Sequence, residues 1–190
     1  MPTSDTKTAL LNSAETAART LGFDGFSYAD LAEDVGIRKA SIHHHFPSKA
    51  KLSVALMQRY HENVQSICAE ISEKYATGGE QLAQLIGLYR TGSNGGKQLC
   101  LCASFSASRD SLPADVIEQI SQFRAMIVGW MTKAFETGRD DGSIANVVDP
   151  ALEAAAALSL LEGAQLAARA EENPAFFENA IMLLTLRITS

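Results

Sequence analysis

The chain has 190 residues and a formal net charge of −6 at neutral pH, and 46% of its residues are hydrophobic. This length is enough to bury one substantial core and a small appended domain. Acidity of the whole chain, taken alone, argues against a nucleic-acid partner. Glycine and proline are sparse, at 13 and 5 residues, and long segments are rich in alanine and leucine. The composition therefore favours an all-α protein.

The sequence gives little support to a membrane, secreted or catalytic protein. Glu153 and Glu162 bracket the longest apolar run, so we expect no membrane-spanning segment and no membrane partner. Asp5 lies where a signal peptide would be apolar, and three cysteines in an unsecreted chain predict reduced thiols in the cytoplasm. No phosphate-binding loop, nucleophile elbow or zinc-protease motif is present, so we expect no enzyme and no cofactor.

The most informative segment, residues 27–52, follows a predicted helix from about Thr6 to Leu21. Ser27 and Asp30 form a capping-box pattern that opens a short second helix. Gly36 ends that helix, because glycine adopts the left-handed conformation at low cost. A helix, a tight turn and a further helix are therefore predicted here.

The segment after Gly36 is polar and basic around one aliphatic anchor, Ile42, and Phe46 closes it. Its polar side chains are Arg38, Lys39, Ser41, His43, His44 and His45. Such a helix presents its surface instead of burying it.

Pro47 ends this segment, and Ser48 is predicted to cap the next helix. The first turn of that helix carries Lys49 and Lys51, which suit a helix N-terminus only if an anion lies nearby. A DNA phosphate would be that anion.

Charge is distributed unevenly along the chain. Residues 1–52 carry six bases and six acids, so the rest of the chain holds the whole acidic excess. Between Val35 and His61 there is no Asp or Glu, whereas all four histidines and five Lys or Arg residues fall there. One basic face on an acidic body can bind DNA locally and repel it elsewhere.

Two alternatives for this segment stay open. A basic run is often only a solvated face. Three adjacent histidines suggest a metal, yet neighbours on a helix point about 100° apart, and His61 is the only other histidine. We therefore predict no metal site.

The remaining chain is interpreted as helices with polar breaks. One long helix is predicted over residues 49–74, another over residues 80–90, and a loop over residues 92–97. After Pro113 a long amphipathic helix is predicted to about Thr137, followed by a polar turn at residues 138–142. Asp149 and Pro150 predict the start of an alanine-rich helix, and a last helix follows Pro174.

The segment GIRKASIHHHFPSKAKL resembles the recognition helix and the fourth-helix entry of tetracycline-repressor (TetR) family transcription regulators. Upstream, ALLNSAETAARTLGFDGFSYADLAEDVG is similar to the first two helices of that family, and GRDDGSIANVVDPALEAAAALSLLEGAQLAAR resembles a pattern in its C-terminal half. The resemblance implies an N-terminal three-helix, helix-turn-helix DNA-binding domain at residues 1–52. It further implies a helical effector-binding and dimerisation domain at residues 53–190.

The resemblance also implies which residues contact DNA. These residues are Ser27, Tyr28, Arg38, Lys39, Ala40, Ser41, His43, His44 and Lys49. His43 stands where the family usually has tyrosine, often a phosphate or base contact. A charged His43 near phosphate would make DNA affinity fall as pH rises through the range in which imidazole titrates, whereas a neutral histidine would donate only one hydrogen bond.

Residues 99–108, LCLCASFSAS, are ambiguous between strand and helix. Large apolar and small side chains alternate with period two, which by pattern alone favours a half-buried strand. The family resemblance implies a helix, and a lone strand without a partner would leave its backbone groups unpaired. We therefore predict a helix.

By resemblance, a small molecule binds among the helices after the DNA-binding part, and the last two helices form a homodimer interface. The predicted apolar ligand lining is Leu85, Tyr89, Cys100, Cys102, Phe105, Phe123, Ile127, Trp130 and Leu161. The predicted function is a ligand-responsive regulator, most often a repressor released from a palindromic DNA operator. Two alternatives are a constitutive DNA-binding regulator and an electrophile or redox sensor using Cys100 or Cys102.

Overall fold

The structure is a computed structural model that describes the backbone of residues 3–189 and the side chains of residues 6–189. Over that part of the chain it contains nine α-helices, a 3₁₀ turn at Arg109–Ser111 and no β-strand. The helices are α1 (Thr3–Leu21), α2 (Tyr28–Val35), α3 (Lys39–His45), α4 (Lys49–Lys74), α5 (Gly78–Gly92), α6 (Leu101–Ser106), α7 (Ala114–Asp141), α8 (Pro150–Ala170) and α9 (Ala175–Thr185). The predicted all-α fold is confirmed.

Local capping signals set the start of three helices. The capping box predicted at α2 is formed, since the Ser27 hydroxyl accepts from the Ala29 N–H at 3.2 Å and the Asp30 carboxylate accepts from the Ser27 N–H at 2.7 Å. A second capping box opens α5 at Thr77. The Asp149 carboxylate caps α8 as predicted, with Pro150 in its first turn. These ends are therefore encoded within four residues of sequence.

By its internal contacts the described chain divides into two compact units. Unit 1 is the chain up to Glu62 together with Leu101–Phe123, and unit 2 is Asn63–Cys100 together with the chain from Arg124 onward. Helices α4 and α7 each contribute residues to both units. These units are defined by contacts within the chain and not by function. The predicted boundary between the DNA-binding and effector-binding domains, between residues 52 and 53, therefore stays a prediction.

Unit 1 has a core built around α1, which packs on α2 and α6. The Phe23 and Phe105 rings meet edge to face, with centroids 5.6 Å apart. The Ser104 hydroxyl on α6 donates to the carbonyl oxygen of Ala18 on α1 at 2.6 Å, which satisfies a buried polar group. Helix α2 packs in turn on α3, so the short helices rest on a fixed base.

Unit 2 has a core in which α8 packs on α5 and α9. One buried glutamine, Gln165 on α8, accepts the Cys100 N–H at 2.7 Å and donates to the Tyr89 carbonyl at 2.8 Å. The Arg187 guanidinium binds the Glu153 carboxylate at 2.7 Å and holds the end of the chain against α8. That ion pair lowers the pKa of the Glu153 carboxyl.

Two sequence predictions for the middle of the chain have different outcomes. Residues 101–106 form α6, so the predicted helix is confirmed and the strand pattern was misleading. The polar turn predicted at residues 138–142 was wrong for most of its length, because α7 continues to Asp141. Gly138 lies inside α7, where a Cβ atom would collide with the Ile144 side chain. This glycine serves close packing and not a turn.

The prediction that no segment is long and apolar enough to cross a membrane was wrong for α8. Among the described residues this one helix, with 21 residues, is long and apolar enough by length and composition to cross a membrane. The core helix of a soluble protein meets the same criterion, so the finding is weak evidence for a membrane span. Ala154, Leu158 and Leu161 of α8 are buried inside unit 2.

Candidate DNA-binding site

The site is built on α2, the turn at Gly36 and α3. Gly36 has a φ of 72° in the left-handed region, and its N–H donates to the end of α2, so the predicted glycine turn is formed. Ile42 is fully buried and anchors α3, as predicted from its isolated position among polar residues. A helix fixed by one apolar side chain leaves the rest of its circumference for a partner.

The exposed surface of α3 and its N-cap residue carries most of the residues predicted to contact DNA. The exposed residues are Arg38, Lys39, Ala40, Ser41, His43 and His44. No acidic residue lies between positions 36 and 60, so no carboxylate on α3 or on the start of α4 offsets these cations. We call this set of exposed residues the basic face. His45 is only half-exposed and packs its ring on that of His44 at a centroid distance of 5.5 Å.

His43 is held in a defined orientation on the basic face. Its Nδ1 lies 3.3 Å from the Pro47 carbonyl oxygen, and its ring meets the Tyr28 ring at a centroid distance of 5.0 Å. The Nε2 atom takes no part in that contact, and the residue is exposed. This orientation leaves Nε2 as the ring nitrogen available to a partner.

Tyr28 is placed as a structural residue. It is 7% exposed, and its hydroxyl donates to the Phe46 carbonyl oxygen at 2.9 Å. Burial raises the pKa of the Tyr28 hydroxyl to about 12. The bond joins the start of α2 to the end of α3, so Tyr28 sets the position of the basic face. The DNA contact predicted for Tyr28 stays a prediction.

Lys49 points into unit 1. Its ammonium group donates to the Phe26 carbonyl oxygen at 2.6 Å and lies over the Phe26 and Phe23 rings, 4.3 and 4.8 Å from their centroids. Burial lowers the pKa of this amine, against the attraction of Asp24 and Asp30. The charge that the sequence assigned to a DNA phosphate therefore already has partners within unit 1, and the phosphate contact stays a prediction.

Two other polar groups near the start of α4 are exposed. Ser48 caps α4 as predicted, since its hydroxyl accepts from the Lys51 N–H at 3.3 Å. The Lys51 ammonium group forms an ion pair with Asp115 at 3.0 Å, and its side chain is 63% exposed. Ser27, also predicted to contact DNA, is exposed but engaged in the α2 capping box.

Sequence reasoning missed the Pro47 carbonyl and Gln165. The carbonyl of Pro47 serves as the partner of His43, and no helical spacing indicates it, because Pro47 lies beyond the extended C-cap of α3. Gln165 could have been noticed as a lone amide on the buried face of an alanine-rich helix. A side chain with both a donor and an acceptor is suited to join two backbone groups in a core.

Predicted ligand residues are found in both units and are almost all buried. Leu85, Tyr89, Cys100, Ile127, Trp130 and Leu161 belong to unit 2, whereas Cys102, Phe105 and Phe123 belong to unit 1. Trp130 is the half-exposed member, and its indole N–H donates to the Cys68 carbonyl at 3.0 Å within unit 2. None of the nine lines the described surface pockets between α1 and α2, between α8 and α9, or beside Thr77 and Asp141. The ligand set stays a prediction.

The three cysteines are all buried. Cys100 is 2% exposed and precedes α6, whereas Cys102 is fully buried within α6. Burial raises the pKa of the Cys68 thiol to about 12, which leaves almost no thiolate at neutral pH. Among the described residues no group of three His, Cys, Asp or Glu side chains could hold a metal ion.

Comparisons with known proteins identify the family. Residues 10–56 match the sequence profile described as bacterial regulatory proteins, tetR family. A TetR family transcriptional regulator from Agrobacterium tumefaciens has a crystal structure 30% identical in sequence, with a TM-score of 0.92, covering 98% of this chain and 99% of that chain. A TetR transcriptional regulator from Legionella pneumophila is 27% identical, with a TM-score of 0.88 and complete coverage of both chains.

A curated relative adds a repressor to these matches. HTH-type transcriptional repressor NemR of Escherichia coli (strain K12) is 24% identical over 182 residues, which is 93% of this chain and 90% of NemR. The helix-turn-helix geometry at α2 and α3, the basic face and the full-length match to the Agrobacterium protein agree with one another. The chain belongs to the TetR family of transcriptional regulators.

Proposed function

We propose that the chain is a homodimeric, ligand-responsive repressor that binds palindromic DNA through one α3 helix from each subunit. The basic face carries this proposal. It presents five side chains with hydrogen-bond donors, and the Tyr28–Phe46 bond and buried Ile42 fix it from behind. A helix of this kind fits the major groove, where side chains at its exposed face reach base edges and phosphates.

We propose α8 and α9 as the dimer interface. Five of the large apolar side chains that remain exposed in the described chain lie on these two helices, namely Leu152, Leu166, Phe176, Met182 and Leu183, and Leu186 is the C-cap residue of α9. Leu183 is 76% exposed and Leu186 is 72% exposed, whereas Phe177, Ile181 and Leu184 of α9 are buried. Large exposed apolar side chains concentrated on two helices that pack together are typical of a protein interface.

We propose that the effector is an apolar or weakly polar organic molecule bound in the part of the chain after the DNA-binding helices. It would act by binding better to a conformation in which the two α3 helices are wrongly spaced for DNA. The predicted lining is rich in apolar and aromatic side chains, which supports this ligand class. Among the alternatives, burial of Cys100 and Cys102 gives an exposed-thiol sensor no support.

The repressor assignment is supported by the NemR relative, which is itself named a repressor. We propose that the protein works in the cytoplasm and does not catalyse a reaction.

Selection of binding sites from random DNA duplexes tests the proposed function. We expect the selected sites to be palindromes with half-sites about one helical turn or more apart, because a two-fold dimer presents two identical helices. A single asymmetric half-site recovered at full affinity would contradict the symmetric dimer. No enriched sequence at low salt would contradict DNA reading by α3. Mass spectrometry of material that co-purifies with the protein would identify the effector.

A further inference from the structure

We infer that His43 binds a DNA phosphate as an imidazolium cation, so that each subunit takes up one proton when it binds DNA. The inference rests on the proposed function, because it takes α3 as the helix that docks on DNA. It goes beyond that function by assigning a chemical form and a partner to one side chain of the basic face.

The contact with Pro47 favours one tautomer of His43. A carbonyl oxygen only accepts hydrogen bonds, so this contact is a hydrogen bond only when Nδ1, 3.3 Å from the Pro47 oxygen, carries the hydrogen. In the neutral imidazole the other nitrogen, Nε2, then holds a lone pair and no hydrogen. The opposite tautomer would direct the Nδ1 lone pair at the carbonyl oxygen, which costs the hydrogen bond and adds repulsion.

The favoured tautomer determines how His43 can contact DNA. A phosphate oxygen offers only lone pairs, so a neutral His43 would bring the Nε2 lone pair against another lone pair. When a proton from solvent binds Nε2, the ring becomes a cation and the new N–H donates to the phosphate. No covalent bond breaks, and the one species consumed is a hydrogen ion. A neutral His43 donating through Nε2 is therefore the form that the structure disfavours.

Charged and titratable groups around His43 belong to three elements. On α2 the Tyr28 ring contacts the imidazole, and its hydroxyl stays neutral because its pKa is about 12. On α3 the cation Lys39 lies one turn earlier, and His44 is adjacent. At the start of α4 the Lys49 ammonium group is bound to the Phe26 carbonyl. None of the acidic residues of α2 forms a described ion pair with His43, so the phosphate would supply the balancing anion.

The test measures DNA affinity as a function of pH with a duplex selected at neutral pH. Fluorescence anisotropy at constant ionic strength between about pH 5.5 and 8.5 would compare wild type with His43→Gln and His43→Tyr. For wild type we expect the affinity to fall with rising pH, by up to about tenfold per pH unit for each subunit. Both variants should lose the part of the pH dependence that comes from His43. His43→Tyr should bind DNA more tightly than His43→Gln, because its phenol is a neutral hydrogen-bond donor.

Two further readouts separate this contact from a general effect of pH. Calorimetry in two buffers of different ionisation enthalpy should count the protons taken up, and His43→Gln should lower that number by up to one per subunit. The wild-type salt slope should become shallower by about one unit per subunit as the pH rises, because a phosphate contact is lost. His61→Gln is the matched control, because His61 lies on α4 against the Phe123 ring and outside the basic face, and circular dichroism at each pH would show that all proteins stay folded.

The possible outcomes are distinct. An unchanged pH slope in His43→Gln, with DNA still bound, would overturn the inference and leave the proposed function standing. If the DNA affinity of wild type rises with pH and that of His43→Gln does not, Nε2 accepts a hydrogen bond from a base amino group. That result would overturn the phosphate assignment. Failure of every protein to bind selected DNA at any pH would contradict the proposed function itself.

Discussion

The Lys49 ammonium group lies against one carbonyl oxygen and two aromatic rings, a combination that a cation at a free surface does not have. A hydrogen bond from a charged donor contributes about 1.5 to 3 kcal/mol, and each cation–π contact contributes about 0.5 to 1 kcal/mol. Burial lowers the pKa of the amine, so desolvation of the charge outweighs the attraction of Asp24 and Asp30. The hydrogen bond and the two ring contacts act in the opposite direction, and we expect a small net contribution of about 1 kcal/mol.

Lys49→Met, which keeps the aliphatic stem, should lower the unfolding midpoint by about 2 to 4 °C for a chain of this size. If the ammonium group of Lys49 stays bound to the Phe26 carbonyl when DNA binds, the salt dependence of DNA binding should be unchanged in this variant, whereas the predicted phosphate contact requires the salt slope to fall by about one unit. Thermal unfolding and DNA titrations at several salt concentrations would check both expectations. Lys51→Met is the matched control, because Lys51 is 63% exposed and its ion pair with Asp115 should contribute little to stability. If Lys49→Met instead lowers the salt slope by about one unit and leaves the melting temperature unchanged, Lys49 contacts a DNA phosphate.

Tyr28 is expected to make the stability of the protein depend on alkaline pH. Its pKa is raised from 10 to about 12, so the folded state favours the neutral phenol. The associated stability is fully present below pH 10 and is lost as the pH rises towards 12. Burial raises the pKa of Cys68 in the same direction, so wild-type data alone would mix the two groups.

Tyr28→Phe separates the two groups. At pH 8 the variant should be less stable by about 1 to 3 kcal/mol, because the buried Phe46 carbonyl loses its donor. At pH 11 the difference in free energy of unfolding between wild type and variant should shrink by about 1 kcal/mol. The phenol of wild type then ionises in the unfolded state but stays protonated in the folded state, which favours unfolding. Denaturant unfolding at the two pH values measures this difference, and a constant difference would contradict the role of burial.

Among the elements, α3 gives the sharpest test of DNA reading. Lys39 is exposed in the first turn of the helix, on the basic face. Lys39→Ala should weaken binding to the selected sequence by about 1 to 3 kcal/mol and relax the preference at one base position. Repeating the selection from random duplexes would show which position changes. Lys133→Ala, at an exposed lysine of α7, is the control for loss of a positive charge and should leave the preference intact. Equal weakening on all sequences by Lys39→Ala would make Lys39 a phosphate contact.

Helix ends marked by local sequence could be predicted, and those decided by distant contacts could not. Ser27 with Asp30, and Asp149 with Pro150, carry their capping partners within a few residues, so their pattern was sufficient. Gly138 lies inside α7, which runs to Asp141, and its missing side chain leaves room for Ile144. The sequence around Gly138 looks like a turn. A glycine beside Asp and Arg has the same local pattern whether it forms a polar turn or lies inside a helix at a close contact.

The same distinction holds within the candidate site. Exposure of Arg38, Lys39 and His44 followed from their spacing around Ile42, because one apolar residue in a short helix fixes which side is buried. The partner of Lys49 lies 23 residues earlier in the chain, at Phe26. No periodic pattern connects two such positions, so only the packed structure of unit 1 could reveal that this lysine is engaged.

At the scale of the whole molecule, the remaining question is how two copies associate. A leucine exposed singly is ordinary in a soluble protein, but Leu183 on α9 and Leu186 at the C-cap of α9 are only three residues apart, and both are exposed by more than 70%. A charge placed between two such surfaces would be buried without a partner, which costs several kcal/mol in each subunit. The proposed dimer should therefore be sensitive to a single substitution here.

Leu183→Glu should convert the protein from a dimer to a monomer at micromolar concentration, as measured by analytical ultracentrifugation. Its affinity for a palindromic duplex should fall at least about tenfold, because each monomer would engage only one half-site. Leu21→Glu is the matched control, since Leu21 is 58% exposed at the end of α1 in unit 1, and it should remain dimeric. Circular dichroism would establish that both variants are folded. If Leu183→Glu stays dimeric while Leu21→Glu dissociates, the interface lies on unit 1 and not on α8 and α9.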